Sequence, residues 1–526
     1  MQHEVFPQFR APRQDGQSLL WPSLWSVPKL LAANRLVQQS LPAELAMLRD
    51  SARRRLIQQA LQYTGQYRDS ATLADDAELQ SLPIIMSGHQ PTLFHPGVWF
   101  KNYSLSQISA QQNALAINLV VDGDVSGPTS ISVPVRTPGN QLELEKIPYD
   151  HAGAGLPYEQ SGVSDQESFD RFGQAVAHRL RGFIDDPLIG KLWPQAVERR
   201  LETNNTALAI AGARHALEGD MGWQTLEVPQ SQICQTPQFA SFLSLILADL
   251  PRFVQCYNDS ADLYRGAHGI RSSAHPVPNL SHDAPWLEAP LWIYGDASPQ
   301  RRAVWVRQRG TELTLSDRQG FEVTCNREHL SECLQSLDSS QYKLRSRALI
   351  TTMYVRMLLS DLFLHGIGGG KYDQLGDLIS QAFWQCPPTQ FMVLSASVLL
   401  PGHQRHCPLQ INQQLHEVHR TLRDCRFHGE QFDGEHAVSA DLVQQKHALL
   451  ERIPPRHQRK QWHAQMQAVN LAMSKQLSQL ATELHDRSLA LQAERRLAER
   501  WNSRDYSFCL YPQEQIQNAF DTMLLH

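Results

Sequence analysis

The stretch from Leu82 to Ser126 constrains the fold most. LPIIMSG is an apolar run closed by glycine, GHQPTLFHPGVWFKNY turns and opens a helix predicted from about Gly97 to Gln112, and ALAINLVVDGDVSG is a second apolar run ending in a turn. Neither run alternates polar with apolar residues, the pattern of strands buried on both faces. Strand, glycine turn, helix, strand is the start of a parallel α/β sheet, and its ligand is expected beyond the carboxyl ends of those strands. QFMVLSASVLLP is a later strand of the same buried kind.

The 526 residues suffice for two to four domains. With 42% apolar and 19% charged residues the composition is globular, and a net charge of -5 argues against nucleic acid as the main partner. The beginning, MQHEVFPQFRAPRQDGQ, is too polar for a signal peptide, and the longest apolar runs are too short to span a bilayer. A cytoplasmic protein without membrane contact is expected. None of the eight cysteines forms a CxxC, so neither a disulfide scaffold nor a four-cysteine zinc knuckle is expected. His403, His406 and Cys407 cluster in PGHQRHC without a zinc spacing, and no metal site is assigned.

Residues 1–80 form an N-terminal helical segment and 81–165 the first part of the α/β core. A helical insertion spans 166–270, and a Pro-rich connection with a small antiparallel group spans 271–343. The second part of the core occupies 344–442, and 503–526 returns to it. Between them, 443–502 is a coiled coil or long helical hairpin: Trp462, Met466, Val469, Met473, Leu477, Leu480 and Leu484 are spaced by 4, 3, 4, 4, 3 and 4 residues. Such a seam needs an apolar partner, which a homodimer would supply.

Three motifs carry candidate chemistry. In the first, Gly88 permits the turn, the helix start offers unpaired N–H groups, and His89 and His95 are placed to neutralise or protonate anionic oxygens; Lys101 and Asn102 extend its rim. In the second, Asp122 and Asp124 follow a strand, where carboxylates hold a hydroxyl, an amine or hydrated Mg2+, or simply form the turn. In the third, GIGGGKY, the glycines Gly366, Gly368, Gly369 and Gly370 could cradle an anion while Lys371 supplies charge, although the spacing is not that of a Walker A loop. Arg345, Arg347 and Arg356 precede it and serve either anion binding or ion pairs. Cys386 is expected to be a packed, inert thiol.

GHQPTLFHPGVWF, NLVVDGDVS, LRSRALITTMYVRMLLSDLFLHGIGGGKYDQL, QFMVLSASVLLP and RDYSFCLYPQEQI, in this order, resemble the family of bacillithiol biosynthesis cysteine-adding enzymes. The resemblance implies a Rossmann-like core, a coiled coil used for dimerisation, and addition of cysteine to glucosaminyl-malate. By position it places Gly88 and Gln90 in the first loop, Asp122 and Asp124 in the acidic loop, Arg347 in the arginine segment, and Gly369, Gly370 and Tyr372 in the second glycine loop. The chain has His89 where the family more often has glutamine, and Lys371 where an acidic residue is common.

The expectation is a C–N ligase that joins an amino acid to an amine-bearing, sugar-like small molecule. His89 or His95 would relay a proton, and Asp122 and Asp124 would orient the amine or hydroxyls. Lys371 and the glycine N–H groups would stabilise an anion, with ATP or another nucleotide and Mg2+ as the activating reagent. HPG also resembles the start of the HxGH signature of nucleotidylyltransferases, with Val98 at the second histidine position. Such an enzyme, or a noncatalytic ligand-binding coiled-coil protein, is the alternative.

Overall fold

Apolar runs without alternation become the centre of a sheet, because only there are both faces of a strand covered. The computed structural model describes residues 6–69, 79–136, 142–151, 153, 155–403 and 408–525. The chain begins with β1 (Gln17–Trp21), α1 (Val27–Gln39) and α2 (Ala43–Thr64). β2 (Ile84–His89), α3 (Pro96–Gln111) and β3 (Leu115–Val120) follow where the sequence predicts them. β4 (Ser130–Arg136) and β5 (Leu142–Pro148) form a separate two-stranded sheet. The helical insertion is α4 (Gln166–Leu180), α5 (Ile189–Thr203) and α6 (Thr206–Asp220), but β6 (Leu226–Pro229) interrupts it before α7 (Gln230–Cys234), α8 (Pro237–Ala248) and α9 (Leu250–His268).

The predicted antiparallel group contains β7 (His282–Asp283), β8 (Trp286–Gly295), β9 (Ser298–Arg309), β10 (Glu312–Ser316), β11 (Glu322–Asn326) and, after α10 (Leu330–Ser336), β12 (Lys343–Ser346). One disulfide, Cys325–Cys333, links β11 to α10. The chain then returns through α11 (Ala348–Tyr354), β13 (Leu362–His365), α12 (Ile367–Trp384) and β14 (Phe391–Ser397).

The main sheet has the order β1-β14-β13-β2-β3-β6, and every pair is parallel except β1 with β14. β2 is central, and the chain winds first toward β3 and β6, then reverses toward β13 and β14. The reversal lies between β2 and β13, where the two strand-to-helix turns leave the sheet in opposite directions. Alternate residues of β2 feed opposite cores: Ile84 and Met86 join one apolar cluster with α2, α8 and α9, and Ile85 joins another with Leu105 and Ile108 of α3. The fold is a mixed α/β architecture with a parallel sheet covered on both faces. No single described helix is long and apolar enough to cross a membrane.

Contacts divide the chain into two units, the second comprising Arg136–Glu143 and Leu399–Ser503. Its helices are α13 (Pro408–Phe427), α14 (Ala440–Glu451), α15 (Arg459–Gln476) and α16 (Ser478–Trp501); α17 (Gln513–Leu525) belongs to the first unit. The region expected to be a coiled coil or long helical hairpin, 443–502, is covered by three helices, α14 to α16. Pro454 and Pro455 account for the first break, since proline lacks the donor that continues a helix. The heptad-like seam is filled from within the unit: Val469, Met473 and Leu477 pack with Cys425 and Val438. Ile411, Leu415 and Val418 of α13 pack with Leu491 and Ala498 of α16. The seam by itself thus calls for no second copy.

Met473 is completely buried in this cluster. Met473→Ala is expected to destabilise the second unit by about 2–5 kcal/mol, and the loss in urea unfolding should not change with protein concentration. A concentration-dependent loss would instead place the seam between copies.

Candidate functional site

β2 ends at His89, and the turn after it is shaped by what the following helix must bury. Gly88 lies against β3, where a Cβ would stand 3.1 Å from Leu119 Cβ and 3.2 Å from its carbonyl oxygen, so the strands approach this closely only with glycine here. His95 caps α3, its Nδ1 accepting from Gly97 N–H at 3.0 Å. Burial and the Arg504 guanidinium hold its pKa down at about 4, so at neutral pH the ring stays an uncharged cap.

His89 is buried. Asn102 donates through Nδ2 to Glu218 at 2.8 Å, which turns its carbonyl toward His89, and His89 Nε2 donates to that oxygen at 2.9 Å. Glu218 also accepts from Trp99 Nε1 at 2.6 Å and Arg214 at 2.7 Å, and Arg214 continues to Glu227 at 2.5 Å. Burial, Lys101 and Arg214 push His89 well below the ordinary histidine range. The imidazole is thus a neutral member of an internal network. His215, Glu218 and Glu227 present ligand atoms close enough to share a metal ion, but Arg214 already donates to both carboxylates, which makes the group an ion-pair core.

The two aspartates of VVDGDVSG part company. Asp122 is fully buried and accepts from the backbone N–H of Ser231 at 2.9 Å and its hydroxyl at 2.5 Å; burial, and then the Glu159 charge, raise its pKa. It ties β3 to α7. Asp124, with 41% of its side chain exposed, accepts from Gln90 Nε2 at 3.1 Å and Arg301 Nη1 at 3.0 Å. Gln90 and Asp124 line one pocket of about 370 Å³ with Leu93, Gly127, Tyr149 and Tyr158. A second cavity of about 280 Å³ shares Gly127, Tyr149 and Tyr158. A carboxylate, a carboxamide and a phenol set between aromatic walls suit a small molecule bearing hydroxyls or an amine.

Beside the pocket, Glu159 is held by Arg345 through two bonds of 2.9 Å, by Lys343 at 3.2 Å and by Tyr294 at 2.9 Å. Burial opposes ionisation there, but Arg345 outweighs it and keeps the carboxyl below its ordinary range. Arg301, Glu159, Tyr149 and Tyr158 were not singled out from the sequence. They sit in loops or on the antiparallel sheet, where no periodicity marks them.

GIGGGKY is not a loop but the first turn of α12, entered directly from β13. Gly366 occupies the N-cap without a side-chain cap, and the first full-turn bond runs from Gly370 N–H to Gly366 O at 2.9 Å, leaving the earlier N–H groups outside the ladder. Gly369 is required by His365, whose Nδ1 would lie 2.7 Å from an added Cβ, and Gly370 by Val393 of β14. At Gly366 and Gly368 a Cβ would meet open space. Lys371 is exposed, and Tyr372, 40% exposed, faces the His275 ring at 6.4 Å. Arg347 donates to Glu288 at 2.5 Å and lies 3.9 Å over Trp292, on the antiparallel sheet. Of the proposed second-loop group, the glycine turn stands at the carboxyl end of β13 while the Arg347 and Tyr372 side chains are engaged elsewhere.

Lys101, placed at a rim from sequence, is instead buried: its ammonium donates to Gly88 O at 2.5 Å. The signal was its spacing with Leu105 and Ile108, the apolar stripe of α3. His403 Nδ1 faces Leu400 O at 3.0 Å, while His406 and Cys407 lie outside the described residues. Cys386 is buried, and burial raises its pKa, as expected of an inert thiol.

No protein-family model matches the chain, and no curated protein matches it.

Burial and Arg214 lower the Lys101 pKa from 10.5 to about 7. Between these values the unfolded chain holds a proton that the folded chain lacks, so stability falls as pH drops through the window and levels off below it. Lys101→Met removes this dependence. Its stability relative to the unsubstituted protein should improve by about 1.4 kcal/mol per pH unit on going from pH 10 to pH 7, read by urea unfolding; a difference constant with pH would show that the amine is not depressed.

Proposed function

We propose that this chain is a C–N ligase on a Rossmann-like core, joining an amino acid, cysteine in the family it resembles, to an amine-bearing, sugar-like acceptor. The observation that carries the reading is the pocket at the carboxyl ends of β2 and β3, where Gln90 and Asp124, from separate resembled motifs, meet at 3.1 Å. The strand order supports the Rossmann-like core, since counting parallel strands along the chain gives 3-2-1-4-5 from β6 to β14. The acceptor's hydroxyls and amine are assigned to Gln90, Asp124 and Tyr158. ATP with Mg2+ would supply the activated carboxyl as an acyl phosphate or acyl adenylate. The uncapped first turn of α12 fits a phosphate, because Gly366 and Gly368 leave the backbone open to close approach.

In the bond-forming step the acceptor nitrogen attacks the acyl carbon, the N–C bond forms, and the acyl–oxygen bond breaks with departure of phosphate or AMP. Asp124 takes the proton lost by nitrogen, while Arg301 keeps its carboxylate oriented. His89 and Asp122 hold the two strand ends in place, a positioning role that their burial suits. Arg347 and Lys371 receive no part in the step.

Incubation with ATP, Mg2+, cysteine and glucosaminyl-malate or related amino sugars, followed by mass spectrometry, should detect an amide with release of AMP or ADP. Asp124→Asn should slow its formation by about 100-fold or more with the thermal midpoint little changed. Absence of any amide, or an unchanged rate in Asp124→Asn, would overturn the assignment.

A further inference from the structure

At the opposite end of the sheet from the pocket above lies a cavity of about 350 Å³, bounded by β1, the start of β14 and one face of α12. Its walls are mainly apolar, with Trp21, Leu378 and Phe391 among them, and Asp377 and Gln374 line it as well. Trp21, the last residue of β1, is 38% exposed and has its ring 6.5 Å from that of Phe391.

The charges behind the cavity do not balance. Arg356 is buried and donates at 2.7 Å to both Asp373 and Asp377. Asp373 is fully engaged, also accepting from Thr352 at 2.6 Å and from His365 at 2.7 Å. Burial lowers the His365 pKa more than Asp373 raises it, so at neutral pH the histidine contributes no charge. One guanidinium thus faces two carboxylates. Burial, and then the Asp373 charge, outweigh Arg356 and push the Asp377 carboxyl up to about 7.

The second, independent observation concerns hydrogen bonds. Gln374 is 6% exposed, and its Nε2 donates to Pro7 O at 3.0 Å, which fixes the carboxamide; its Oε1 is buried and accepts no hydrogen bond among the described residues. Asp377 Oδ1 faces Arg356, and Oδ2 has no donor among the described residues. The Gln374 oxygen can only accept, and so can Asp377 Oδ2 whenever its carboxyl is ionised. The buried Gln374 acceptor without a donor is costly, and an aromatic wall beside the partly exposed Asp377 carboxylate favours a cation.

We propose that this cavity is a binding site for an organic ammonium ion with an apolar body about the size of an aryl group. The ammonium donates to Asp377 Oδ2 and Gln374 Oε1 and restores the charge balance. The apolar body lies against Trp21 and Phe391. The site is separate from the proposed ligase pocket and does not rest on that reading.

The test is titration calorimetry of the full chain with 2-phenylethylammonium, with neutral 2-phenylethanol as the matched probe. The cation should bind at least tenfold more tightly than the alcohol, and Asp377→Asn should weaken it at least tenfold. Trp21→Ala, at the end of the edge strand and 38% exposed, should weaken it about threefold with folding checked by circular dichroism, and decides the matter if Asp377→Asn does not fold. Equal binding of cation and alcohol, or cation binding unchanged in these variants, would overturn the proposal.

Discussion

The carboxyl end of the sheet depends on one buried guanidinium. Arg214 joins Glu218 of its own helix to Glu227 of β6, and through Glu218 it fixes Trp99, Asn102 and, at one remove, His89 at the end of β2. Burying these charges separately would cost several kcal/mol for each ion. Together they are tolerable because neutral donors share the load: Trp99 and Asn102 donate to Glu218, and Asn118 of β3 donates to Glu227 at 2.5 Å. Three parallel strands and two helices are thereby tied at one point, and the turns that shape the pocket grow from it. Neutralising Arg214 would strand two carboxylates, so the residue is confined to holding the scaffold.

That constraint sorts the polar residues into those that hold geometry and those left free for chemistry. His89 has its Nε2–H engaged, and a second proton on Nδ1, 3.1 Å from Gln90 O, would place a cation in a site where burial, Lys101 and Arg214 already oppose one. Asp122 spends both oxygens on Ser231. Asp124 differs because it lies two residues farther along the chain, past the end of β3, where the chain has left the core and water reaches the carboxylate. A turn of two residues thus converts the same side chain from a buried strut into a solvent-accessible carboxylate.

The sequence made the central strands legible for a simple reason: PIIMS, ALAINLVV and FMVLSASV are apolar on both faces, and only the interior of a covered sheet accommodates that. β1 was not legible, because QSLLW is an exposed-edge strand whose pairing with β14 supplies its order. The glycines of GIGGGKY suggested a loop, since local composition says nothing of what crowds a helix. Their use at positions 369 and 370 follows from His365 and Val393, one on the preceding strand and one on its neighbour. The turn at Leu477 contains neither glycine nor proline, so an uninterrupted seam was the natural reading there. Glu218 and Glu227 look like solvated charges until α6 folds back and brings Arg214 between them.

The two ends of the sheet treat a carboxylate in different ways, and the difference tracks water. At the β2–β3 end, Asp124 is answered by Arg301 in a half-exposed pair, where solvent screening makes the interaction weak enough to exchange for a ligand. At the β1–β14 end, Asp377 shares a single buried guanidinium with Asp373, so its carboxyl is short of positive charge and its pKa is pushed up to about 7. A polar, hydroxyl-bearing molecule is matched by the first arrangement because it can replace water bond for bond. The second arrangement rewards a ligand that brings charge and apolar surface together, because water can supply neither the missing positive charge nor contact with Trp21 and Phe391.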